Sequence, residues 1–322
     1  MRCKNLKRSI CIILTALFLL SSFAGCSSRG QNGKFEIVCT VFPIYDWVKN
    51  IIGEANEDIS VTLLVKNGTD PHSYTPSPSD IARISSCDLI FYVGGESDVW
   101  VSDVIKGKTN KDMREVKLLD AMRDRGLAAH EHHHEEGEEH EHTENAYDEH
   151  VWLSLKNAAF LCDVIAEALS EALEEYSENI EVNAEGYIEK INSLDAEYAS
   201  AVASAARDTI LFADRFPFGY LFGDYRLKHF SAFSGCSADS EASFETVTSL
   251  AKKIDELELK YVLVLENADK ALAETVISSS ASKSAEILVI DSMQSVSAAD
   301  IDGAEYLSVM KNNLGVIKTA LS

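Results

Sequence analysis

The segment FEIVCTVFPIYDWVKNIIG, residues 35–53, is the clearest indication of the fold class in this sequence. Its first part, residues 35–41, is a short apolar run, which predicts a buried strand. Residues 44–52 have apolar side chains at helical spacing and are followed by Gly53, which predicts a helix and its end. A strand followed directly by a helix is the unit from which parallel sheets covered by helices are built.

The same strand and helix unit recurs along the chain. In the first half, strands are predicted over residues 59–65 and 89–93, and helices over residues 78–86 and 99–105. In the second half the predicted strands are residues 209–213, 229–233, 261–265 and 286–290, and the predicted helices are residues 217–225, 243–257, 270–280 and 303–321. This alternation predicts an α/β protein with two lobes, each a mostly parallel sheet flanked by helices.

A long stretch without proline separates the two halves. Residues 157–207 are rich in Ala, Glu, Leu, Ile and Tyr at helical spacing, which predicts one long, rigid helix that joins the lobes. A break within this helix is left open at residues 177–179 or at Gly186. The predicted N-terminal lobe is residues 35–156, and the predicted C-terminal lobe is residues 208–322.

The first residues have the pattern of an export signal. Four basic residues come first, residues 10–20 are apolar, and small residues then lead to Cys26. This order is typical of the bacterial lipoprotein signal, in which the cysteine is lipidated and becomes the new N-terminus. We therefore expect a signal peptide over residues 1–25, a lipidated polar leader over residues 26–34, and an extracytoplasmic protein tethered to the cell membrane. An uncleaved anchor or simple secretion is the alternative.

The charge of the chain excludes one class of partner. The full chain has a formal net charge of -23, and loss of four basic residues with the signal changes it to -27. A surface this acidic repels a phosphate backbone, so a nucleic-acid partner is excluded. The same charge is compatible with cation capture, but also with solubility through repulsion alone.

Four cysteines remain beyond the signal and Cys26, namely Cys39, Cys87, Cys162 and Cys236. Their spacing matches no CxxC pair and no zinc-finger pattern. The first three lie among apolar residues, so we expect small core residues rather than metal ligands. The sequence leaves the existence of a disulfide open.

Histidine is concentrated in one segment. Seven of the nine histidines lie between residues 130 and 150, and residues 128–148 lack apolar periodicity, which predicts a flexible loop within the N-terminal lobe. Imidazole and carboxylate groups bind zinc-like cations, so the loop is expected to act as an auxiliary, weak metal collector. The residues concerned are His130, His132, His133, His134, His140 and His142. The HExxH pattern at residues 130–134 does not indicate a zinc protease, because its neighbours provide no apolar face for the helix that this motif needs.

Two further histidines lie in segments that we expect to be ordered. His72 follows a predicted strand in the proline-rich stretch DPHSYTPSPSD, residues 70–80, which should hold it in a stiff loop. His150 lies in DEHVWLSL, residues 148–155, where apolar residues return after the flexible loop. Either histidine alone could be an ordinary surface residue, but the two segments together form a more specific sequence pattern.

Seven short segments carry a resemblance to a known family. They are VFPIYD (41–46), GTDPH (68–72), DIA (80–82), DLIFYVG (88–94), EHVWLS (149–154), FPFGYLFGDY (216–225) and DS (291–292). In these segments the chain resembles the zinc and manganese family of ABC-transporter substrate-binding proteins. The resemblance covers essentially the whole chain beyond the signal, and a His-rich segment before the second histidine is common in the zinc-specific members.

The resemblance implies a metal site in the cleft between the two lobes. His72 and His150 would be ligands from the N-terminal lobe, and Asp291, directly after a predicted strand, a ligand from the C-terminal lobe. A helix cap is the alternative role for Asp291. Glu241 and Glu266 follow turn or strand ends and are candidate partners of the ligands.

The fourth ligand is where this chain departs from the family. Many members have a histidine or glutamate after the first strand of the second lobe, whereas this chain has Ala213 at the apparent position. Asp214 is then the nearest acid, although it could instead pair with Arg215. Water or a loop histidine such as His142 is the alternative, and His229 is expected to be structural.

The function implied by the resemblance is capture of extracellular Zn²⁺ and its delivery to an ABC permease driven by an ATPase. The protein would be a monomer and would perform no catalysis. Manganese is the alternative metal, because two carboxylates make an oxygen-rich ligand set. The alternative functions are a zinc-dependent hydrolase with Glu149 as its base and a surface adhesin.

Overall fold

The computed structural model describes residues 33–53, 58–66, 68–127, 147–233, 235, 242–294, 296, 301 and 303–322. The predicted signal peptide, Cys26, the six histidines of the predicted collector loop, Cys236 and Glu241 lie outside these residues. Within the described ranges, no helix has the length and apolar composition that crossing a membrane requires.

The N-terminal lobe is built on a parallel sheet. Its strands are β1 (Phe35–Cys39), β2 (Ile59–Leu63), β3 (Leu89–Tyr92) and β4 (Arg114–Lys117), in the order β2-β1-β3-β4. Its helices are α1 (Phe42–Ile52), α2 (Pro78–Ser86), α3 (Val99–Lys106) and α4 (Leu118–Asp124). All three neighbouring strand pairs are parallel.

The C-terminal lobe repeats this architecture. Its strands are β5 (Thr209–Arg215), β6 (Lys228–Phe233), β7 (Tyr261–Leu265) and β8 (Glu286–Ile290), in the order β6-β5-β7-β8. Its helices are α7 (Gly219–Tyr225), α8 (Phe244–Glu256), α9 (Ala271–Ser279) and α10 (Tyr306–Ala320). The neighbouring strands are again parallel, so the predicted class of two α/β lobes is confirmed.

Side chains of the central strands alternate between two buried layers. In β3, Leu89 and Phe91 belong to a large apolar cluster that both lobes share, whereas Ile90 and Tyr92 belong to a separate cluster that includes residues of α2 and α3. Strand β7 alternates in the same way in the second lobe. A strand buried on both faces is typical of a parallel sheet, and it explains why these strands are continuous apolar runs in the sequence.

The predicted linking segment is two helices rather than one. α5 (Leu155–Ala172) and α6 (Ser177–Ala203) are separated by Leu173 and a 3-10 turn at Glu174–Tyr176. Leu173 has φ -128° and ψ 56°, outside the helical region, and ends α5. The single helix over residues 157–207 is therefore corrected, with the break just before the position that the sequence left open.

Helix α6 is the element that joins the lobes. It contacts α1 in the first lobe and α10 in the second. On α6, the hydroxyl of Tyr187 donates a 2.8 Å hydrogen bond to Asp46 of α1, and that of Tyr198 donates a 2.6 Å bond to the carbonyl of Met310 of α10. Buried bonds to both lobes from one helix limit the movement of one lobe relative to the other. The exact limits of the lobes stay a prediction.

Strand β4 and helix α4 are not predicted from the sequence. β4 reads REVK, with charged side chains at three of its four positions, and it lies at the edge of its sheet. Edge strands commonly carry charges, which obscure the apolar pattern of a strand.

Candidate metal centre

His72 lies in a short 3-10 turn that follows β2. The turn, Pro71–Ser73, is capped by Asp70, whose Oδ1 accepts the backbone N–H of His72 at 3.0 Å. Proline at the first position of the turn restricts its backbone. The imidazole is therefore held in a defined place at the carboxyl end of the N-terminal sheet, as the sequence predicts.

His150 is held by the residue two positions before it. Oδ1 of Asp148 accepts both the backbone N–H of His150, at 2.9 Å, and its ring Nδ1, at 2.8 Å. Tyr220, from the C-terminal lobe, donates a 3.0 Å bond to the carbonyl oxygen of Asp148. The side chain of His150 is 1% exposed, so its orientation depends on Asp148.

Glu149 performs the same task for the other histidine. Its Oε1 is 3.1 Å from Nδ1 of His72, and its Oε2 accepts the backbone N–H and the hydroxyl of Ser97 at 3.1 and 2.7 Å. Two adjacent carboxylates, Asp148 and Glu149, thus bind the Nδ1 atoms of the two histidines. A carboxylate on one ring nitrogen directs the other nitrogen toward a metal and raises its basicity.

The charges of this pair support each other. Burial works to raise the pKa of Glu149, but the hydrogen bond and charge of His72, the charge of His150 and the hydrogen bond from Ser97 outweigh it and lower that pKa below its ordinary value. Burial works to lower the pKa of His72, but its bond to Glu149 outweighs this and raises that pKa. The carboxylate of Glu149 is therefore ionised and can accept the Nδ1 proton.

The two Nε2 atoms face one point in the cleft between the lobes. The ring centroids of His72 and His150 are 5.6 Å apart. The amide nitrogen of Gln294, from the loop after β8, is 3.4 Å from Nε2 of His72 and 2.5 Å from Nε2 of His150. Among the described residues, no three His, Cys, Asp or Glu side chains are gathered closely enough to hold a metal ion. The histidine pair is thus preorganised, but with an amide group between its two nitrogens.

Glycine at two positions makes room for the orienting carboxylates. A Cβ added at Gly95 would lie 2.2 Å from Oε2 of Glu149, and one added at Gly219 would lie 2.9 Å from Oδ2 of Asp148. Both distances are shorter than side chains tolerate. Any larger residue at Gly95 would push the buried Glu149 away from His72.

Asp98 stabilises the turn after β3, which places Ser97 in contact with Glu149. Its carboxylate accepts the backbone N–H groups of Val93 and Gly94 at 2.7 and 3.3 Å and the hydroxyl of Thr40 at 3.2 Å. Asp98 is 2% exposed, and burial, with a contribution from the charge of Glu149, raises its pKa from 3.8 to about 6.

This raised pKa predicts a pH-dependent stability. The folded protein binds the Asp98 proton more tightly than the unfolded chain does, so the stabilisation is complete below about pH 4 and is lost as the pH rises through about 6. Between about pH 5 and about pH 7, the free energy of unfolding of the wild type should fall by about 1 kcal/mol relative to Asp98→Asn. Urea unfolding at both pH values measures this difference, and Asp103→Asn, an exposed carboxylate on α3, is the control. An equal pH dependence in wild type and Asp98→Asn would contradict the prediction.

Asp291 begins the loop that carries Gln294. Its Oδ1 accepts the backbone N–H of Met293 at 2.7 Å, and burial raises the pKa of its carboxyl above the ordinary value. Glu266, at the end of β7, accepts the backbone N–H and the hydroxyl of Ser292, both at 2.7 Å. Burial and the nearby charge of Asp291 raise the pKa of Glu266 to about 7. Glu266 therefore shapes the loop that Asp291 begins.

The carboxylate of Asp214 accepts hydrogen bonds from backbone N–H groups of the C-terminal sheet. Its Oδ2 accepts the backbone N–H of Leu265 at 3.0 Å, and its Oδ1 accepts that of Arg215 at 2.8 Å. A ligand role for Asp214, which stays a prediction, would require release of these bonds. The guanidinium of Arg215 instead crosses the cleft to Asp70, with Nη2 at 2.9 Å from Oδ2. Asp70 therefore holds the His72 turn and the second lobe at once.

The structure also describes His229 and three of the four cysteines that the sequence singles out. His229 is on β6 and stacks on Phe216, with ring centroids 3.5 Å apart. Cys39, Cys87 and Cys162 are buried free thiols, as expected of core residues.

Sequence reasoning missed the partners that orient the histidines. Asp148 and Glu149 directly precede His150, and this adjacency was the available signal, but the sequence offered Glu149 only as a base for hydrolysis. Gln294 gave no signal, because it is an isolated amide in a loop far from both histidines in the chain.

The chain is similar to known zinc-uptake proteins. A family model described as zinc-uptake complex component A, periplasmic (ZnuA) matches residues 37–320. The zinc-binding lipoprotein AdcA of Streptococcus pneumoniae is 34% identical over 308 residues, which cover 95% of this chain and 59% of that protein. The high-affinity zinc uptake system protein ZnuA of Bacillus subtilis is 29% identical over 324 residues, which cover 96% of each.

A solved structure has the same fold. The Zn(II)-bound ZnuA-like domain of AdcA from Streptococcus pneumoniae superposes with a TM-score of 0.71 at 30% identity, over 90% of this chain and 99% of that chain. The chain spans little more than half the length of the streptococcal AdcA proteins that it matches, between 56% and 59%.

Proposed function

Because the chain belongs to the ZnuA family of zinc-uptake components, we propose that it captures a zinc ion between its lobes and delivers it to an ABC permease. One observation carries the proposal. Two imidazoles, His72 and His150, have Nδ1 bonded to carboxylates and Nε2 directed at one point in the cleft. Such carboxylate and histidine pairs are typical of zinc ligands.

The ligand chemistry favours zinc over manganese. Zinc prefers imidazole nitrogen, whereas manganese prefers carboxylate and carbonyl oxygen. His72, His150 and Asp291 are the proposed ligands, with Asp214 or, in its place, water or a loop histidine as the fourth. Titration of purified, metal-free protein with both ions is the test, and zinc should bind more tightly. Tighter binding of manganese would contradict the choice of metal.

In the proposed function, the protein binds and releases its metal without catalysing a reaction. Hydrolysis would require a carboxylate free to activate a metal-bound water. Both oxygens of Glu149 are engaged by His72 and Ser97, which argues against a hydrolase.

A growth defect of a deletion strain in zinc-poor medium, rescued by added zinc, would distinguish a role in metal transport from a role in adhesion.

The proposed setting of the protein is the outer surface of the cell membrane. Cys26 would carry the lipid anchor, and the permease with its ATPase would receive the metal from a monomeric protein. The six histidines of the predicted collector loop would raise the local concentration of zinc near the cleft.

Deletion of residues 130–146 is expected to leave one tight zinc site and to remove only weaker, additional sites. The ordered ligands are held by Asp148 and Glu149, which the deletion retains. Competition with a chromophoric chelator gives the affinity and the stoichiometry, and His72→Ala in the same deletion background is the control that should lose the tight site. Loss of all tight binding on deletion alone would assign the main site to the loop and overturn the proposal.

A further inference from the structure

The side-chain amide of Gln294 lies between Nε2 of His72 and Nε2 of His150. Its side chain is buried, with the residue 7% exposed. The amide nitrogen is 2.5 Å from Nε2 of His150 and 3.4 Å from Nε2 of His72. This contact is made across the cleft, because Gln294 belongs to the C-terminal lobe and both histidines belong to the N-terminal lobe.

The positions of the protons follow from the partners on the other side of each ring. Carboxylate oxygens of Asp148 and Glu149 accept hydrogen bonds and cannot donate them, so Nδ1 is the donor in both contacts. An imidazole with its proton on Nδ1 has a lone pair on Nε2, which accepts a hydrogen bond from a donor. A side-chain amide has two N–H donors on one nitrogen, so a single Gln294 can satisfy both histidines.

The loop around Gln294 is tied to the opposite lobe on both sides. The carbonyl oxygen of Ser292 accepts a 2.9 Å bond from the indole of Trp152, and that of Val296 accepts a 3.0 Å bond from the backbone N–H of Gly68. The backbone N–H of Gln294 itself bonds to Glu266 at 3.3 Å. The amide is therefore positioned by backbone bonds on either side of it.

We propose that Gln294 competes with the metal for the two histidines. In the metal-free protein its amide donates to both Nε2 atoms, and a divalent cation can bind only after the amide has left. Return of the amide when the cation departs would lower the cost of release to the permease. Gln294 thereby weakens and tunes the affinity of the site, an inference that rests on the proposed capture of zinc.

The first test is the zinc affinity of Gln294→Ala. Without the competing donor, zinc should bind about five- to tenfold more tightly than in the wild type, the effect of about one hydrogen bond. Competition with a chromophoric chelator measures the affinity, and Asn312→Ala, which removes an exposed amide from α10, is the control. Unchanged affinity would overturn the inference, and weaker affinity would overturn it by identifying Gln294 as a ligand through its oxygen.

The second test needs no variant. In metal-free, ¹⁵N-labelled wild type, the imidazole nitrogen shifts should show protonated Nδ1 and hydrogen-bonded Nε2 in both His72 and His150. One equivalent of zinc should then shift the side-chain N–H resonances of Gln294 to those of a solvated amide. Amide resonances that do not respond to zinc would overturn the inference, whereas a wild type that binds no zinc would overturn the proposed function instead.

Discussion

His150→Ala is expected to lower the affinity for zinc by roughly a hundred- to a thousandfold. A structural zinc site with four ligands has a binding free energy of about 10–16 kcal/mol, so one ligand contributes roughly 3 kcal/mol. His150 is the more buried of the two histidines, at 1% side-chain exposure against 18% for His72. Water cannot easily take its place as a ligand, and the loss should be near the upper end of this range.

The measurement is competition of metal-free protein with chelators of graded affinity. His229→Ala is the matched control, because it removes an exposed imidazole on β6 that stacks on Phe216. Circular dichroism should show the same helix content in both variants. Zinc binding by His150→Ala that equals the wild type would move the site away from the cleft and contradict the proposed ligands.

Glu149→Gln is expected to weaken zinc binding by roughly ten- to a hundredfold, the usual effect of losing a partner of a metal-binding histidine. The two oxygens of Glu149 accept one bond from His72 and two from Ser97. An amide has only one oxygen, so one group of donors loses its acceptor. The substitution also removes the negative charge that stabilises the metal-bound imidazole.

Glu96→Gln is the matched control for this charge, because Glu96 is exposed on the same turn as Ser97. Zinc affinity and the imidazole nitrogen shifts of His72 are the two readouts. If the Nδ1 proton of His72 exchanges rapidly in Glu149→Gln and zinc binds more weakly, Glu149 positions the imidazole of His72. Wild-type affinity in this variant would show that His72 is held by its turn alone.

Much of the fold could be predicted because its central strands are buried on both faces and therefore read as apolar runs. The predicted limits of β7 and β8 are those observed, since each is a short, mostly apolar run, YVLVL and EILVI, followed directly by an acidic residue. Helix α2 was also predicted with its observed limits, because Pro78 marks its start. The structure adds a capping box between Ser77 and Asp80 at the same end. The break between α5 and α6 was less visible, since Leu173 is an ordinary helix-forming residue.

The candidate site was predicted in part. His72 and His150 are brought together in the cleft, but the resemblance to a family, rather than any local pattern, paired them. Asp214 follows β5 as expected, yet its carboxylate bonds to backbone N–H groups of the sheet. A strand-end carboxylate can serve a metal or the neighbouring strand, and the sequence around it does not distinguish the two.

The two α/β lobes and the histidines that could bind a metal follow from the amino-acid sequence alone. These features depend on local periodicity, turn residues and side-chain chemistry, which each segment carries within itself. The orientation of the two imidazoles by Asp148 and Glu149, and the position of Gln294 between them, depend on tertiary packing. The contact of Gln294 with His150 joins residues 144 positions apart, and such a contact is set by the packing of two lobes around α6, which no local pattern records.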